Sequence, residues 1–207
     1  MPTYTSQPDG TTGIDTYITN YAATTNYGSS TSLIVGETDS DTDGWQNTFL
    51  VKFDLSSIPS FVILSSATLY LTQTSESAGN ARSMSVYRCL RAWTEGGATW
   101  NKYDGANNWG TAGARNTSTD RESSSIGSIS LSATEANGEK TISLDASKIQ
   151  EIVSGSFTNN GFICDMPAAQ VNDQHIFASS DNATAGYRPK LVVEYLLGGQ
   201  FIRWSSE

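Results

Sequence analysis

A single histidine, His175, stands in the whole chain, and that scarcity removes most general acid–base chemistry at neutral pH. A Ser-His-Asp system needs an oriented base beside a nucleophile, and His175 lies in "NDQHIFASS" with no nucleophile-elbow motif. Carboxylate pairs of the glycosidase type leave no mark in a sequence, and nothing here singles one out. The expectation is a protein that is not an enzyme. Cysteine is equally scarce: Cys89 and Cys164 sit in apolar, strand-like segments without metal-ligand spacing. They read as small buried hydrophobes, and sequence leaves open whether they pair. Basic residues number 12 against 21 acidic ones, giving a net charge of −9, and they form no run. A nucleic-acid partner is therefore not expected, because its phosphates would be repelled. No apolar run approaches the roughly 18 residues needed to cross a bilayer, so no membrane insertion is expected either.

What the chain does contain is Ser, Thr, Gly and Asn, with 16% charged and 10% aromatic residues. That balance points to an all-β fold with many turns rather than to disorder. "NTFLVKFDL" places Phe49, Val51, Phe53 and Leu55 on one face and Lys52 and Asp54 on the other. "SATLYLTQT" alternates Ala67, Leu69 and Leu71 against Thr68, Tyr70 and Thr72; Ile129 and Leu131, then Ile142 and Leu144, repeat the period. Two-residue periodicity broken by turn residues predicts a sandwich with one buried face per sheet. One short helix is expected in "LDASKIQEIVSG", capped by Asp145 or Ser147 and stopped at Gly155. Residues 1–195 read as one domain.

Residues 196–207 differ in character. After Gly198 and Gly199 come Phe201, Ile202 and Trp204, an apolar tail where a polar, frayed end is usual. It reads either as a last edge strand or as a segment that docks on a neighbouring subunit. "TDSDTDGW" alternates Asp39, Asp41 and Asp43 before Gly44, as in the first half of a calcium loop. The bidentate Glu position of an EF-hand falls on Leu50, so the alternatives are a solvated acidic hairpin tip or a structural Ca²⁺ site of another kind.

Several stretches recur in a familiar order: "NYGSSTSLIVGE", "FLVKFDLSSIPS", "VYRCLRAWTEGGATWNKYDG", "NNWGTAG" and "FASSDNATAGYRPKLVVEY". From about Asp15 to Tyr195 the chain resembles the DNRLRE-domain family, which is grouped with carbohydrate-binding modules. The resemblance implies an antiparallel β-sandwich of jelly-roll type and a non-catalytic role on acidic polysaccharides such as alginate. Stand-alone copies starting at Met resemble proteins of tailed bacteriophages. "MPTYTSQPDG" lacks the basic and apolar regions of a secretory signal, so synthesis in the cytosol and display on a virion or other extracellular surface are expected. The partners would be other subunits of the particle and, alternatively, a cell-surface or extracellular polysaccharide.

The nearly fixed form of "TEGGATWN" in the family implies that Trp93, which ends the strand "VYRCLRAW", and Trp100 are structural. Tyr103 and Trp109 are expected to be exposed and to stack on a sugar, with Asp104, Asn107 or Asn108 bonding its hydroxyls. Of the arginines, Arg88 and Arg91 occupy opposite faces of one strand, and one is expected to pair with Glu95 or Asp54. Two functions follow: a structural or adhesion component displayed on an assembled particle, or a module whose main role is sugar recognition.

Overall fold

The structure is a computed structural model, described over residues 1–38, 44–78, 81–132, 137–166 and 172–197. Its strands are β1 (Thr3–Ser6), β2 (Ile14–Thr19), β3 (Ser32–Thr38), β4 (Trp45–Lys52), β5 (Ile63–Ala78) and β6 (Arg82–Arg88). They continue as β7 (Gly127–Leu131), β8 (Gly138–Leu144), β9 (Phe162–Asp165), β10 (Asp173–Ala178) and β11 (Lys190–Leu196), with one helix, α1 (Ala146–Val153), before β9. Every pairing is antiparallel. The expected all-β sandwich with one short helix is what forms.

Two layers result. One is built on β5, whose 16 residues pair with β11, β8 and β10, and β1 extends it beyond β11. The other runs β2–β4–β9–β6–β7. β3 belongs to both: Ser32–Val35 pairs with β10, and Gly36–Thr38 pairs with β4. The crossing falls at Gly36, whose φ of +92° suits glycine, and a β-carbon there would collide with the Asp173 carbonyl.

Alternation decides what is buried between the layers. Phe49, Val51, Leu69, Leu71, Ile142, Leu144, Phe162 and Val193 all point into one core, as the two-residue period requires. Each such side chain contributes roughly 1.5–3 kcal/mol by leaving water. α1 closes one end with Ile149 and Ile152 in the core. Asp145 caps it by accepting the Ser147 amide at 2.9 Å, and Gly155, at φ +79°, ends the turn that follows.

The residues Asp39, Asp41 and Asp43 and the tail residues Phe201, Ile202 and Trp204 lie outside the described residues. One sequence expectation is corrected here. β6 ends at Arg88, not at Trp93. The Leu90 amide bonds the Asp120 carbonyl at 2.9 Å, and Arg91 is held by the Asp120 carboxylate, so the chain leaves the sheet before Trp93.

Candidate functional site

Within the second layer β4 is buried on both faces. Ile18, Leu50 and Ile163 project outward from β2, β4 and β9, and the long connection from β6 to β7 folds over them. Trp93, Ala98, Trp100, Trp109 and Ala114 of that connection complete a second apolar cluster. The buried indoles keep their N–H groups satisfied: Trp93 Nε1 donates to Asn160 O at 2.8 Å and Trp109 Nε1 to Thr99 O at 2.9 Å. Asp120, fully buried, organises the far side of the loop by accepting the amides of Gly110, Thr111 and Asn116.

This arrangement corrects the expectation that Trp109 is exposed. Only 5% of it meets solvent, because Ile18, Leu50 and Ile163 need an apolar cover. The structural reading of Trp93 and Trp100 holds, since both are buried in the same cluster. Tyr103 is half-buried, meets Trp109 edge-on at 5.7 Å, and carries the Arg91 guanidinium over its ring at 4.6 Å. Asp104 is committed to its own turn: it accepts the Ala106 and Asn107 amides and the Asn107 side-chain amide. Those bonds, the Asn107 amide foremost, hold its carboxyl below the usual value. Asn107 and Asn108 are exposed.

Tertiary contact creates an aromatic surface that the sequence did not announce. Tyr21, in the turn after β2, lies against Trp45 at the start of β4, with ring centroids 3.9 Å apart. Both are open to solvent, at 64% and 42%. Asn20 locks the two segments together: its amide donates to Gln46 O, its side chain accepts the Gln46 amide, and its Nδ2 donates to Gly44 O. The same turn abuts the covering loop, because the Asn101 amide donates to Ala23 O and Asn26 Nδ2 donates to Glu95 O and Ala98 O. Between them runs a cleft of about 340 Å³ lined by Thr24, Asn26, Gly97, Thr99 and Lys102. Trp45 was visible in the sequence, but its partner is 24 positions away and only the fold joins them.

Residues 9–195 match the family model of carbohydrate-binding module family 96. The chain belongs to carbohydrate-binding module family 96. No curated protein matches it.

Five arginines of the module are spent on internal ion pairs, while Arg188 Nε donates to the Asn182 carbonyl. Arg82 pairs with Asp173, Arg88 with Glu122 and Glu151, Arg91 with Asp120, and Arg115 and Arg121 both with Asp165. The expected partners Glu95 and Asp54 are not used by Arg88 or Arg91, because the fold brings α1 and the covering loop to those arginines instead. His175 is fully buried on β10, with Nδ1 3.9 Å from Glu76. Cys89 and Cys164 are free, buried thiols, and burial pushes the Cys89 thiol up to about 12.

Proposed function

We propose that this carbohydrate-binding module is non-catalytic and recognises a neutral polysaccharide across the Tyr21–Trp45 pair and the adjoining cleft. The observation that carries this reading is an exposed pair of aromatic rings, one of them on the turn whose Thr24 and Asn26 line a cleft, on a chain of this family. Apolar faces of sugar rings stack on such aromatics, and Lys102 of the cleft and the exposed Asn108 of the same loop offer bonds to hydroxyls. A neutral ligand is favoured because the net charge is −9 and five of the arginines, Arg82, Arg88, Arg91, Arg115 and Arg121, are already paired with carboxylates of the fold. Affinity electrophoresis through gels containing neutral or acidic polysaccharides tests the proposal. Retardation by a neutral polysaccharide should drop at least tenfold in Trp45→Ala and Tyr21→Ala. Unchanged retardation in both variants, or none with any polysaccharide, overturns it. Release of reducing ends by the protein alone would refute the non-catalytic role.

A second proposal concerns where the module works. The DNRLRE-type resemblance suggests display on the outside of a virion or other particle. One observation favours attachment: Phe61, Ile63, Leu196 and Leu197 are exposed large apolar side chains, and Ile63 and Leu196 are direct cross-strand partners. The apolar tail with Phe201, Ile202 and Trp204 follows immediately in the sequence. Removing residues 198–207, or introducing Phe61→Ser with Ile63→Ser, should abolish self-association or particle attachment measured by sedimentation. An unchanged sedimentation profile and unchanged attachment in both variants rules it out.

A further inference from the structure

Four aspartates are buried among the described residues: Asp15, Asp120, Asp165 and Asp173. A buried carboxylate needs a counter-charge or a full set of donors. Asp120, Asp165 and Asp173 each have an arginine. Asp15, on β2 and 1% exposed, has none. Its Oδ2 accepts the Ser180 amide at 2.8 Å, while its Oδ1 is buried and accepts no hydrogen bond of ordinary geometry.

Its neighbours are two more acids. One carboxylate oxygen from each of Asp15, Glu95 and Asp181 lies within 4.8 Å of the others. They come from three separate segments: β2, the start of the covering loop, and the turn after β10. Among the described residues no basic side chain pairs with any of the three. Glu95 Oε1 accepts the Asp15 amide at 3.0 Å, which fixes its carboxylate beside Asp15. Gly10 packs so closely on Asp181 that a β-carbon there would strike its Oδ1, so the N-terminal turn closes over the cluster. Burial pushes the Asp15 carboxyl up to about 7 against the pull of the Ser180 amide, and burial raises Glu95 as well.

We propose that Asp15, Glu95 and Asp181 bind a divalent cation of the calcium type, a site separate from the Asp39–Asp41–Asp43 stretch. Three carboxylates supply three or more of the six to eight hard oxygens such an ion takes, and carbonyls or water complete the shell. The ion supplies the charge that arginine supplies to the other buried aspartates. It also ties the root of the covering loop, at Glu95, to β2 and to the turn after β10.

The test is calcium titration of the full chain after dialysis against a chelator, by calorimetry and thermal melting. One ion per chain should bind, and at about 100 times Kd the melting temperature should rise by roughly 5 °C or more. Asp181→Asn and Glu95→Gln, both at partly exposed positions, should keep the native circular dichroism and weaken calcium binding at least tenfold. Combined replacement of Asp39, Asp41 and Asp43 by Asn should leave this binding in place. The proposal is overturned by any of three results: no calcium heat or melting shift, binding that survives in both single variants, or binding lost only with the Asp39–Asp43 replacements. Melting that responds to pH and not to calcium points to a shared proton in the cluster and equally overturns it.

Discussion

Gly113 packs directly against the indole of Trp100. Its φ is +81°, and a β-carbon added there would lie 2.6 Å from Trp100 Cη2. The Gly113 amide also donates to the Trp100 carbonyl at 2.7 Å, so the turn and the ring are fixed together. Gly113→Ala combines left-handed backbone strain with a clash against a ring that has nowhere to move, and should cost about 3 kcal/mol. The melting temperature should fall by roughly 8 °C. Gly96→Ala, at a position with nothing within 4 Å, is the control and should stay within about 0.5 kcal/mol. Equal melting temperatures for the two variants would show that the Trp100 contact does not constrain the loop.

The buried and exposed tryptophans should separate cleanly in mutagenesis. Trp109→Ala empties part of the cluster over Ile18, Leu50 and Ile163 and should lower stability by about 3–5 kcal/mol in urea unfolding. It also leaves the Thr99 carbonyl without its indole donor. Trp45→Ala removes a ring that is 42% exposed and should cost about 1 kcal/mol or less. A Trp109 variant as stable as the Trp45 variant would contradict the covering role of the loop.

Asp145 gives the helix a pH dependence of known sign. The Ser147 hydroxyl, and then its amide, hold the Asp145 carboxyl below its ordinary value of 3.8. A carboxyl depressed in the folded state contributes stability above the ordinary value, and that contribution fades as pH falls through the depressed one. Asp145→Ala should therefore cost about 1 kcal/mol at neutral pH, as for other N-caps. Urea midpoints of the two proteins should converge near pH 2. A gap that stays constant down to that pH would mean the cap acts through something other than its charge.

Much of the architecture could be read from spacing alone. The alternation Phe49–Val51–Phe53 and Ala67–Leu69–Leu71 fixes which face of each strand leaves water, since a one-residue slip would expose every one of them. The helix was equally legible and its cap was narrowed to Asp145 or Ser147, because caps are local chemistry; the fold uses Asp145. What spacing could not reveal was the second burial event. Leu50 sits on the face that Lys52 and Asp54 marked as solvent-exposed, yet the covering loop buries it completely.

The same reason limits any reading of the site. The sequence determined that aromatics would crowd Arg91–Gly110, and the family's fixed motif marked Trp93 and Trp100 as structural. Only the tertiary structure decided that Trp109 joins them inside while Trp45 meets Tyr21 outside. It alone placed Asp15, Glu95 and Asp181, 80 and 86 positions apart along the chain, within 4.8 Å. Period and composition report what each segment prefers locally. Which face another segment covers, and which distant charges meet, depends on loop closures that no local preference encodes.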